Sequence, residues 1–211
     1  RHYYHEESLY IHTPKPDLST AENLLMMIRP DQKYTRLEAE TLDLCLVLHA
    51  EHGGGNNSAF SVHVVSSAAT DTYSAIATGV GSLKGSKHGG ASGKVASMMA
   101  DIKANVSDWA DEEEVADYLR KILLGQAYDG TGRIYGIGHA VYTLSDPRAV
   151  LLKEKARELA VDKDHTKEFD LYLIIERLAP QLFAEIKNST KPLAANVDFF
   201  SGFVYKLLNI P

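Results

Sequence analysis

Cysteine is almost absent. Cys45 is the only one in 211 residues, which excludes an internal disulfide framework and a cysteine-based zinc site. Positive charge is also scarce: 22 Lys and Arg against 28 Asp and Glu leave a formal net charge of −6. Bulk electrostatics therefore offer nothing to nucleic acid or an anionic membrane, and an anionic ligand must be held by a few placed cations. No apolar run approaches the roughly 20 residues of a membrane span, and no secretory signal opens the sequence. The cytoplasm is the expected location. Apolar–polar alternation, the mark of strands, is confined to short β-like runs over 133–142.

What is there is helical. Hydrophobic residues make up 45% and charged residues 24%, the balance of a globular protein able to bury a core. Ser19-Thr-Ala-Glu22 and Thr35-Arg-Leu-Glu38 are capping-box patterns opening two helices, the first closed by Pro30. In the second, Leu42, Cys45, Leu46 and His49 recur at i, i+3, i+4, i+7 and predict its apolar face. The Ala/Ser/Val-rich stretch 58–83 suits closely packed helices ending near Gly85. Further helices are predicted from around 88–93 through Ile102, over about 111–124, over about 147–161 behind Asp146-Pro147, over about 167–187, and after Asp198. The fold class is all-α.

Three histidines have glycine beside them: His52 in Glu51-His-Gly-Gly-Gly55, His88 in Lys87-His-Gly-Gly90, and His139 in Gly136-Ile-Gly-His139. Glycine lets a ligand come close to an imidazole, the side chain best suited to move a proton near neutral pH. Taken singly, each is more readily a solvated loop or satisfied core residue. His88 stands near a predicted helix start, where the dipole disfavours imidazolium and keeps a neutral hydrogen-bond donor. Arg148, in the first turn after Pro147, is a cation at the unfavourable end of a helix. It is either a tolerated surface residue or a fork for a substrate carboxylate. Asp198, within Asn196-Val-Asp-Phe-Phe-Ser-Gly202, is either the N-cap of the last helix or a partly desolvated base.

Rival templates break at particular letters. His49-Ala-Glu-His52 lacks the i, i+4 spacing of helical zinc proteases. His52-Gly-Gly-Gly55 resembles an esterase oxyanion loop, but no G-x-S-x-G elbow exists. Gly93-Lys94 and Gly79-Val-Gly81 do not complete a phosphate loop or a dinucleotide fingerprint.

In order, LHAEHGGGNNSAFSVHVVSSAATDTYSAIATGVGSLKGSKHGGAS, GIGHAVYTLSDPRAVLLK and NVDFFSGFVYKLLNIP resemble the citrate synthase family, including its 2-methylcitrate synthase members, over about 17–211. The resemblance implies a helical large domain and small domain with an active site between them, working as a homodimer. Residues 1–90 would belong to the large domain, 91–204 to the small domain, and 205–211 to the return toward the large one. It implies condensation of acetyl-CoA with oxaloacetate, the citrate-forming step of the tricarboxylic acid cycle, with CoA as substrate and product and no further cofactor or metal. Propionyl-CoA is the alternative acyl donor.

By the same resemblance, Asp198 is the base at the acyl methyl, His88 holds the enol or enolate oxygen, and His139 hydrogen-bonds and protonates the oxaloacetate carbonyl. His52 and Arg148 bind oxaloacetate. Tyr135, Gly136, Ile137, Gly138 and Ala140 lie against the CoA adenine, largely through backbone groups. Thr143 stands where Lys or Arg often meets a CoA phosphate, Phe200 where Tyr is common, and Lys87 where Pro or Arg is frequent. The family's layout also calls for sequence on both sides of these residues, so the stretch is expected to be a piece of an enzyme, inactive by itself. Two readings from other classes stand beside it: a non-catalytic helical scaffold, and a metal-dependent hydrolase using His49, Glu51, His52 and His63.

Overall fold

Ser19 and Thr35 each accept from the backbone N–H three residues on, while Glu22 and Glu38 accept from the N-cap N–H in return. These two capping boxes open α1 (Thr20–Ile28) and α2 (Arg36–His49). The computed structural model describes residues 9, 11–50, 53–85, 89–139 and 142–210. Seven more helices follow: α3 (Asn57–Ser67), α4 (Thr72–Leu83), α5 (Ala91–Asn105), α6 (Glu112–Leu123), α7 (Pro147–Asp162), α8 (Thr166–Lys187) and α9 (Val197–Leu207). Among the described residues there is no β-strand, only an isolated bridge between Ile137 and Ala195. The all-α expectation holds, and the predicted helices fall within a few residues of their observed bounds.

The last helix organises the body. α9 packs against α5 and α7, α7 against α2 and α8, α6 against α8, and α1 against α2. Phe199, Phe200 and Phe203 of α9 meet Phe169 and Tyr172 of α8 with ring centroids 5.0–6.3 Å apart, and all five are buried. At Gly202 the α5 backbone comes so close that an added Cβ would sit 2.9 Å from the Ser92 carbonyl oxygen. The α3–α4 hairpin packs chiefly on itself. No α3 residue is buried, and Phe60, Val64, Ile76 and Val80 are exposed.

Three local expectations are corrected. On α2 the buried stripe runs through Leu42, Cys45 and Leu48, leaving His49 exposed, because α1 and α7 cover a face turned slightly from the one the spacing picks out. Asp198 is not the N-cap of α9. Asn196 is, accepting from the Asp198 N–H at 3.0 Å. Among its described residues the β-like run over 133–142 forms only the one bridge, with no strand of the described residues beside it.

Glu38 does far more than close a capping box. Its buried carboxylate takes a two-pronged bond from Arg29 (2.8 and 3.0 Å), an ion pair from Lys163 (2.8 Å) and the Thr35 N–H (2.7 Å). Arg29 also donates to the Leu208 carbonyl, so α1, α2, α7 and the end of α9 meet there. Burial by itself would raise the Glu38 pKa, but these donors together hold it at about 2, well below its ordinary 4.5. A carboxyl depressed on folding stabilises fully above its unfolded pKa and loses that contribution as pH falls toward the folded one. Melts recorded from pH 6 to pH 2 should therefore lose about 2–3 kcal/mol between roughly pH 4.5 and 2 through this group. Glu38→Gln should remove that step and lower stability at neutral pH.

Candidate active site

The GxGH loop and the start of α9 are stitched together through backbone. Asn196 N–H donates to the Gly136 carbonyl (2.9 Å), its side-chain amide donates to the Gly138 carbonyl (2.8 Å), and Gly138 N–H donates to Ala194 (2.8 Å). Gly136 has φ +80°, and a Cβ there would lie 2.9 Å from both Cα and Cβ of Phe199. Only glycine lets the loop lie this close to α9, which brings His139 near the turn carrying Asp198.

His139 accepts from the Tyr142 N–H on Nδ1 at 3.2 Å. That hydrogen-bond pattern assigns the proton of the neutral ring to Nε2. The Tyr142 ring lies 5.0 Å from the His139 ring and 5.0 Å from the Arg148 guanidinium, so imidazole and cation both pack on one aromatic plate. Arg148 is held edge-on by Asp146, with Nε to Oδ1 at 3.0 Å and Nη2 to Oδ2 at 2.9 Å. That hydrogen bond is the main reason its pKa is raised; the Tyr142 and Asp198 charges add smaller contributions. Burial pushes up the Tyr205 hydroxyl, with Cys45 and then Asp198 adding to it. Asp198 thus lies within electrostatic reach of both Arg148 and Tyr205.

A cavity of about 840 Å³ collects these groups: His139, Arg148 and Asp198 all line it, with His49 at the end of α2, His63 on α3, and the Gly89-Gly90 lead into α5. Among its described lining residues Arg148 is the only Lys or Arg. Tyr135, Gly136, Ile137 and Gly138 are not in the lining; the Tyr135 hydroxyl instead donates to Asp129 at 2.7 Å. At least four polar backbone groups of that loop, the Gly136 and Gly138 carbonyls and the Ile137 and Gly138 N–H groups, are already engaged inside the protein, so backbone contact with a nucleotide base would fall to its other groups. His52, His88 and Ala140 lie outside the described residues, as do Glu51 and Lys87. No group of three or more His, Cys, Asp or Glu suited to a metal occurs among the described residues.

Sequence reasoning missed Tyr142 and the roles of Asp146 and Asn196 at this site. Asp146 was legible only as a cap, and Asn196 as the residue two before an interesting aspartate. Nothing in spacing alone reports that the two helix starts abut.

The family model described as "Citrate synthase, C-terminal domain" matches residues 1–211. The chain belongs to the citrate synthase family. Citrate synthase of a Synechocystis species is 35% identical over 198 residues, covering 94% of this chain and 45% of its own length. The citrate synthase structure from Pyrobaculum aerophilum superposes with a TM-score of 0.75 at 29% identity, covering 96% of this chain and 46% of that one. A ternary complex of carboxymethyl coenzyme A and oxaloacetate with the Thermoplasma acidophilum citrate synthase superposes at 0.72 and 29% identity, covering 94% and 48%. The chain therefore spans about half the length of the citrate synthases it matches. Among the described residues, no helix is long and apolar enough to cross a membrane.

Proposed function

We propose that this chain carries the reacting groups of a citrate synthase-type acyltransferase that condenses acetyl-CoA with oxaloacetate. Convergence of His139, Arg148 and Asp198, from a glycine loop and two helix starts, on one cavity is the observation that supports it most. In this reading Asp198 takes a proton from the thioester methyl, and the His88 ring donates to the enolate oxygen. The nucleophilic carbon then attacks the oxaloacetate ketone. His139 donates its Nε2 proton as that oxygen becomes a hydroxyl, and water cleaves the citryl thioester to citrate and CoA. Arg148 and His52 hold the oxaloacetate, and the loop from Tyr135 through Ala140 lies along the CoA. These steps call for no cofactor besides the CoA thioester itself.

Residues 1–90 as part of a large domain and 91–204 as the small domain fit this reading, with the cavity between α3–α4 and α5, α7 and α9 as the cleft. The exposed apolar side chains of α3 and α4 suit burial against a second copy, which makes a homodimer the assembly proposed. Acetyl and propionyl groups differ by one methylene, worth only about 1–3 kcal/mol of discrimination.

Thiol release by the full-length protein, measured with acetyl-CoA and with propionyl-CoA, tests the reading. Release that requires oxaloacetate and runs faster with acetyl-CoA is expected. Faster release with propionyl-CoA selects 2-methylcitrate synthesis. Absence of oxaloacetate-dependent release with either thioester overturns the proposal, and chelator-sensitive hydrolysis without oxaloacetate would favour the metal-dependent alternative.

A further inference from the structure

Asp146 stands two residues before the cavity-lining Arg148 and is heavily engaged. Its side chain has no exposed surface. It accepts four donors: the Arg148 N–H at 3.0 Å, capping α7; Arg148 Nε at 3.0 Å; Arg148 Nη2 at 2.9 Å; and the Val197 N–H at 3.1 Å, the residue before Asp198. Two helix starts and one guanidinium are thereby referred to a single planar group. Such a fork leaves the guanidinium little rotational freedom, which is what two-point recognition of a substrate carboxylate requires. A buried carboxylate with fewer partners would be costly, and here every donor is charged or a helix-terminal N–H.

We propose that Asp146 is a positioning residue, setting the plane of Arg148 for a ligand carboxylate and locking the α7 start to the α9 turn that presents Asp198. The substrate assignment within this inference rests on the oxaloacetate reading above; the fork geometry does not. An aspartate that only capped α7 would need neither the bond to Val197 nor the edge-on pair with Arg148.

Asp146→Asn in the full-length protein keeps the shape but offers one carbonyl where two oxygens now accept. The Arg148 Nε–H resonance, protected from hydrogen exchange by the fork, should lose that protection in the variant. The KM for oxaloacetate should rise about 10- to 100-fold, the loss expected of a charge-assisted hydrogen bond, while the KM for acyl-CoA stays within about twofold. In an Arg148→Ala background the same substitution should add less than about twofold to the oxaloacetate KM, since its effect passes through the arginine. Should Asp146→Asn not fold, Asp146→Glu keeps the negative charge while displacing the fork by one methylene, and should show the same selective rise and the same loss of Nε–H protection. Unchanged Nε–H protection, or a full additional effect without Arg148, overturns the proposal. A wild-type protein without condensing activity sinks the functional reading alone, because the exchange measurement still decides the positioning.

Discussion

Replacing Asp198 with alanine is expected to lower oxaloacetate-dependent thiol release about 10²- to 10⁴-fold, the range by which a positioned general base contributes, with the KM for oxaloacetate little changed. A thioester methyl is a weak carbon acid, so the step needs a base at contact distance and free of a full water shell. Asp198 is half-buried, lies between Val197 and Phe199, both buried, and lines the cavity. Loss of folding would not explain the fall. The α9 cap belongs to Asn196, so the substitution leaves the cap in place, and the helix-dipole contribution of the lost acidic side chain is only about 0.3–1 kcal/mol. Kinetics and a melt on one preparation separate the two effects. Near-wild-type turnover in Asp198→Ala would leave this carboxylate without a chemical role.

Gly136→Ala carries the second large effect, on stability and activity together. The new Cβ would meet the Phe199 backbone and side chain at 2.8–2.9 Å, at a residue whose φ is +80°. Left-handed backbone costs an alanine about 1–2 kcal/mol, and forcing an extra methyl into a packed contact adds about 1–3 kcal/mol. A loss of about 3 kcal/mol in denaturant unfolding is the expected outcome. Because the loop ends in His139 and the clash lies one residue from Asp198, the two groups should also be pushed apart, and a displacement near 1 Å can cost about 100-fold in rate. Gly93→Ala is the matched control. Gly93 lies in α5, has no atom within 4 Å of an added Cβ and no positive φ, so stability should stay level or rise by about 0.5–1 kcal/mol.

Much of the fold was legible before any coordinate. The two capping boxes, the acidic start and basic end of α6, and Asp146-Pro147 before α7 are local signals, because a helix terminus is satisfied by residues three or four positions away. The α2 face was legible only approximately. His49 continues the apolar spacing, yet its ring stacks on Tyr205 at 6.1 Å and lines the cavity. Periodicity reports that a face will be covered and leaves open which neighbour covers it. Glu38 makes the same point with charge: its capping role lies three residues from Thr35, whereas Arg29 reaches it from α1 and Lys163 from the end of α7.

The sequence by itself determined an all-helical chain, the positions of its helix starts, and the residue types able to do acid–base work beside glycines, all properties set by neighbours a few positions apart. Only the tertiary structure decided that His139, Arg148 and Asp198 share a cavity, that Asn196 rather than Asp198 caps α9, and that Asp146 grips Arg148 while holding the next helix start. Those facts depend on how α7, α9 and the glycine loop abut, and contacts between segments tens of residues apart leave no spacing in the chain to read.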